Sequence, residues 1–176
     1  MEFGYGKIRG MDFSQITDNL FIGTTPRSEA YHTLRSLGVR LVINMRVERR
    51  PFPDHHDPPI PALWLPTFDT PFIPIPMRLL ERGVIAALKT FEGGGKVYVH
   101  CAAGAHRGVA MGSAILIALG HAPEQAMQLV MERRKAADPQ IWYIRRRILR
   151  FAELWRTTAF GRQTQIAQRS EGCLRE

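Results

Sequence analysis

The chain has 176 residues, 45% of them hydrophobic and 23% charged, which is enough to build one core without disulfide staples. Its formal net charge of +8 favours anionic partners, and its longest near-apolar run, Val109 to Leu119, is too short to cross a bilayer. Two widely separated cysteines, Cys101 and Cys173, argue against a disulfide framework. Without a basic stretch leading into an apolar run and a small-residue cleavage site, the chain is expected to be cytoplasmic.

Residues 1–12, with Gly4, Gly6 and Gly10 and no periodicity, read as a flexible arm. Ile16 to Gly23 predicts a short strand, and Thr25-Pro26 with Glu29 behind it opens a helix through Leu37, stopped by Gly38. Val39 to Met45 is a β-branched and aliphatic run that fits a strand buried on both faces. The prolines from Glu48 to Pro61 predict a solvated loop. It carries Asp54, His55, His56 and Asp57, but adjacent histidines point apart and Pro58-Pro59 keeps the chain extended, so no metal site is expected.

Ala62 to Leu65 predicts another strand, followed by a turn-rich loop that holds Asp69. Pro76 to Phe91 has helical spacing and ends at Gly93-Gly94-Gly95, before a strand from Lys96 to His100. Strands alternating with helices predict an α/β fold, in which a central, mostly parallel sheet of about four to five strands carries helices on both faces. Ligands of such folds bind at the carboxyl ends of the strands, where the Ala62 and Lys96 strands both finish. Pro123 to Lys135 and Ile141 to Phe160 predict two further helices, and 161–176 a polar, frayed tail. The basic clusters Arg133 to Lys135 and Arg145 to Arg150 read as solvated helix faces, with no aromatic interleaving to favour nucleic acid.

Between the Lys96 strand and the Val109 run lies His100-Cys101-Ala102-Ala103-Gly104-Ala105-His106-Arg107-Gly108. A lone cysteine is most often a small buried hydrophobe. Here it ends a strand, a loop of small residues follows, and an arginine opens a helix, so that loop amides and helix N–H groups converge on one point and attract an anion.

This run resembles the His-Cys-x-x-Gly-x-x-Arg signature of the cysteine-dependent protein tyrosine phosphatases. The small size points to their dual-specificity branch, over roughly Ile16 to Trp155. The resemblance makes 13–160 a catalytic domain with a phosphate-binding loop between a central strand and a buried helix. It implies a phosphatase that uses no metal or other cofactor and hydrolyses phosphotyrosine, and phosphoserine or phosphothreonine, in proteins.

In that reading Cys101 attacks phosphorus as a thiolate, and Arg107 presents two donors to the phosphoryl oxygens. Ala102, Ala103, Gly104, Ala105, His106 and Gly108 form the cradle, and Asp69 is the general acid, with Asp54 and Asp57 as substitutes. His100 orients Cys101, and Gln140 falls where the family often places an amide. The family usually has serine or threonine at Gly108, so slow hydrolysis of the phosphocysteine is expected. Ala102, Ala103 and Ala105 add no charge, which ranks phosphoproteins and simple monoesters above polyphosphoinositides, although His106, Arg46, Arg49 and Arg50 attract extra phosphate. The alternatives are a phosphatase for a phospholipid, carbohydrate or RNA 5′ phosphate, and a phosphate-binding module that has lost turnover.

Overall fold

The computed structural model describes residues 5–8 and 11–158. The expected tail, 161–176 with Cys173, and residues 1–4, 9 and 10 of the expected arm lie outside them. Six strands are present: β1 (Tyr5–Ile8), β2 (Met11–Gln15), β3 (Leu20–Gly23), β4 (Val39–Arg46), β5 (Ala62–Thr67) and β6 (Lys96–His100). They form one sheet in the order β1-β2-β3-β6-β4-β5, parallel from β3 to β5 and antiparallel where β1 and β2 add to its edge. The four parallel strands are those expected, whereas the β1-β2 pair replaces part of the expected arm. Met11 is 1% exposed and belongs to the core.

Period-two alternation sorts the side chains into two cores. Leu20 and Ile22, Leu41, Ile43 and Met45, and Val97 and Val99 face one side. Phe21, Val42 and Tyr98 face the other. The first side carries four helices, α2 (Met77–Glu92), α3 (Arg107–Ala118), α4 (Pro123–Arg133) and α5 (Trp142–Thr157). The second carries the short α1 (Tyr31–Ser36), whose Tyr31 and Leu34 pack with Phe13 and Ile60. Helices therefore cover both faces, but unequally.

Every residue of α3 is buried, so this helix is the centre of the larger core, and apart from Arg107 at its start and Ser113 it is apolar all round. Its glycines let it lie close to its neighbours. A Cβ at Gly112 would stand 2.3 Å from Ile22 Cδ1 on β3, inside any tolerable contact. This close packing holds the start of α3, and with it the Cys101 loop, against the sheet. Gly112→Ala is expected to destabilise the protein by about 1–3 kcal/mol through overpacking, read as a lower urea midpoint at unchanged m-value.

Candidate active site

The site is assembled at the carboxyl ends of the parallel strands. Cys101 directly follows β6. Thr25, Glu48 and Asp69 each lie two residues past the ends of β3, β4 and β5. All four strands run the same way, so their exits deliver these side chains to one rim.

Cys101 is 1% exposed, and its Sγ accepts a hydrogen bond from the Gly104 N–H at 3.2 Å. Four of the loop's carbonyls are held by groups outside it. Thr25 Oγ1 donates to the Cys101 carbonyl at 3.0 Å. Arg134, 1% exposed, donates from Nε to the Gly104 carbonyl at 2.7 Å and from Nη2 to the Ala103 carbonyl at 2.8 Å. The Asp138 N–H donates to the Ala105 carbonyl at 2.9 Å. Gly104 has φ +66°, and a Cβ there would lie 2.6 Å from the Gly23 carbonyl oxygen, so the turn requires glycine.

Arg107, 3% exposed, is gripped from behind. Its Nη1 and Nη2 donate to the two carboxylate oxygens of Glu48 at 2.9 and 2.8 Å, and Nη1 also donates to the Thr67 carbonyl at 2.9 Å. The hydrogen bond from Arg107 holds the Glu48 carboxyl at about 2, well below the ordinary range. Glu48 occupies the end-on fork of the guanidinium, while Nε is buried without a hydrogen-bond partner and lies 3.4 Å from Asp69 Oδ2. A buried N–H that faces a carboxylate without a hydrogen bond to it is suited to an arriving oxyanion.

Asp69 takes its hydrogen bonds through one oxygen. Tyr143 donates its hydroxyl to Asp69 Oδ1 at 2.9 Å, and His106 Nδ1 lies 3.1 Å from the same atom. Burial, reinforced by Asp69, pushes the Tyr143 phenol up to about 12, so it stays a donor. Beneath the loop, burial pulls the His100 imidazole down to about 3, and its neutral ring lies with Nδ1 3.4 Å from the Cys101 carbonyl oxygen. Among the described residues no three His, Cys, Asp or Glu side chains converge as a metal site requires.

No family model matches this sequence, and no curated relative does. Solved structures do. A mouse protein described as a dual specificity phosphatase, solved with zinc tungstate, is 25% identical over 84% of this chain and 91% of its own, with a TM-score of 0.74. The chain has the fold of a dual-specificity phosphatase. Human DUSP28 matches the same phosphatase fold at 23% identity over 82% of this chain and 95% of its own, TM-score 0.73. PTPMT1, solved in complex with PI(5)P, matches at 23% over 89% and 98%, TM-score 0.67.

Within this phosphatase fold the structure brings Cys101, His106, Arg107 and Asp69 together around one loop. Gln140 stands apart, exposed, with its backbone N–H on Asp138 Oδ1 at 3.2 Å. Asp54 does not reach the loop. Its side chain is 1% exposed and bonds Arg35 Nη2 at 2.8 Å, the Ile60 N–H at 2.8 Å and His56 Nδ1 at 2.6 Å. Burial alone would raise its carboxyl, but these bonds outweigh it and hold the group well below the usual carboxylate range. Asp54 is thus a knot of the Glu48–Pro61 loop and not a spare acid, while most of that loop is exposed, as expected.

Arg134 is the largest correction to the sequence reading. Expected on a solvated helix end, it is instead buried in the loop, because two carbonyls and Asp12 Oδ1, 3.2 Å from Nη1, replace its water. Glu48, Tyr143 and Thr25 were likewise not foreseen. Their only sequence signal is position, two residues past a strand for Glu48 and Thr25. Arg134→Lys retains the charge but loses the fork that holds two carbonyls. It is expected to lower kcat/KM for an aryl phosphate about tenfold or more with an unchanged far-UV circular dichroism spectrum.

Proposed function

We propose that this chain hydrolyses phosphate monoesters without a metal ion, through a phosphocysteine intermediate. The observation that carries the reading is the loop itself. The Gly104 amide points at Cys101 Sγ, four loop carbonyls are held by groups outside the loop, and the buried Arg107 Nε beside it makes no hydrogen bond, facing only Asp69 Oδ2 at 3.4 Å.

The phosphoryl group sits in the loop, with its oxygens on the amides and on Arg107 Nε. The Cys101 thiolate attacks phosphorus, the S–P bond forms, and the bond from phosphorus to the ester oxygen breaks. Asp69, protonated for this step and anchored through Oδ1, delivers its proton to the departing oxygen. In the second step Asp69 takes a proton from water, whose oxygen attacks phosphorus. The S–P bond breaks, and inorganic phosphate and the thiolate are released. The loop amides and Arg107 stabilise the charge that spreads over the phosphoryl oxygens in both steps.

Phosphoproteins suit the uncharged alanines of the loop, and the exposed Phe68 and Trp142 beside Asp69 and Tyr143 suit an aryl ester. A non-protein phosphate is the second reading, favoured by an arginine-lined cavity next to the loop. No helix among the described residues is long and apolar enough to cross a membrane.

Turnover of p-nitrophenyl phosphate in excess chelator is the direct test. Cys101→Ser is expected to abolish it, and Asp69→Asn to lower kcat about 10²-fold or more. Activity that survives Cys101→Ser sinks the mechanism. Gly108 bears on the second step. A Cβ there would meet the Cys101 backbone nitrogen at 3.4 Å, close to ordinary contact, so a serine fits. Gly108→Ser is expected to speed steady-state turnover, with a pre-steady-state burst in the parent that shrinks in the variant.

A further inference from the structure

Resting on the phosphatase reading in its second, non-protein form, we propose that the substrate carries a second phosphate, bound in the cavity on the Ala102 side of the loop, and that it is a compact small-molecule headgroup. The cavity measures about 470 Å³, and its walls include Thr25, Arg27, Arg46, Arg49, Phe52 and Ala102. Ala102 is the residue after the nucleophile. Thr25 Oγ1, which donates to the Cys101 carbonyl, accepts a hydrogen bond from Arg46 Nη1 at 2.9 Å. The cationic wall therefore begins two hydrogen bonds from the backbone of Cys101.

The charge in this cavity is not balanced. Asp12, the carboxylate in its wall, is engaged by Arg134 at 3.2 Å. Arg46 pairs with Glu48 through Nε at 3.2 Å, but Glu48 is already shared with both terminal nitrogens of Arg107. Arg27 and Arg49 pair with no carboxylate among the described residues. The Arg49 guanidinium lies 5.3 Å from the centre of the Phe52 ring, a cation–π contact that steadies it and leaves its N–H groups available. Three guanidinium groups around one space, two of them lacking an acid partner, match the oxygens of a phosphate.

Position and size narrow the ligand. Asp69 meets the loop at His106, the other end from Ala102, so a substrate whose ester oxygen faces Asp69 must span the mouth to reach Arg27 and Arg49. A headgroup of a few carbons does this, and the cavity holds a phosphate with part of its scaffold. The three alanines of the loop leave discrimination between one phosphate and two to these arginines.

The test compares kcat/KM for an inositol monophosphate and an inositol bisphosphate, with p-nitrophenyl phosphate beside them. The bisphosphate is expected to be at least about tenfold better, through KM, and Arg27→Gln/Arg49→Gln to reduce that ratio to about twofold or less. A second arm presents phosphatidylinositol bisphosphate in mixed micelles, and an arginine-dependent advantage in either arm supports the subsite and tells its source. Turnover of p-nitrophenyl phosphate with equal rates on mono- and bisphosphate overturns the subsite and leaves the phosphatase reading standing. An advantage that persists in the double variant overturns it too, as does a doubly phosphorylated peptide that outperforms both bisphosphates tenfold. No turnover of any substrate, p-nitrophenyl phosphate included, removes the phosphatase reading itself.

Discussion

The Arg134 guanidinium, buried against the outer side of the Cys101 loop, is the interaction on which the rest of the site depends. A loop of small residues has many backbone conformations, and an anion-binding one, with every amide facing inward, is costly to hold by backbone alone. Arg134 reaches across from the end of α4, takes two of the loop carbonyls and completes its coordination on Asp12 of β2. Asp138 and Thr25 take two more. With these four carbonyls claimed from outside, the Gly104 amide points at Cys101 Sγ. The shape of the Cys101 loop is therefore set by residues from the sheet, the end of α4 and the turn before α5.

The fold was legible where it is local. The Lys96–His100 strand, the glycines after α2 and the apolar α3 follow from periodicity and punctuation, and their bounds agree with the structure to within a residue or two. The β1-β2 pair was not legible, because short strands among glycines carry little alternation and gain their stability from an edge supplied by β3. The core of the site was legible as well, since His100 to Arg107 is contiguous and each residue type has a chemical reason to be there. Glu48, Tyr143 and Arg134 were not, as their roles exist only across 59, 74 and 30 positions of sequence. An arginine at a helix end reads as solvated until a loop with spare carbonyls is folded over it.

The parallel sheet explains why so few residues suffice. Strands that run the same way bring their exits to one edge, and each exit here contributes one group: a hydroxyl from β3, a carboxylate from β4, another from β5 and the thiol from β6. The two carboxylates end up in different settings. Glu48 is bound by both ends of the Arg107 fork, whereas Asp69 is held by a phenol and an imidazole through one oxygen and keeps the other toward the loop. One strand exit thus supplies a support for Arg107 and the next a carboxylate with one oxygen turned toward the loop, from the same residue class.

Glu48 also changes what binding costs. A free arginine side chain gives up about 2 kcal/mol of rotamer entropy when it is fixed on a ligand. Arg107 is already stationary: Glu48 holds both terminal nitrogens, Thr67 a third hydrogen bond, and the surrounding core leaves 3% of the side chain exposed. An oxyanion arriving at Nε meets a rigid donor whose ordering was completed when the protein folded. Holding the arginine from behind makes the empty pocket and the filled one nearly the same object.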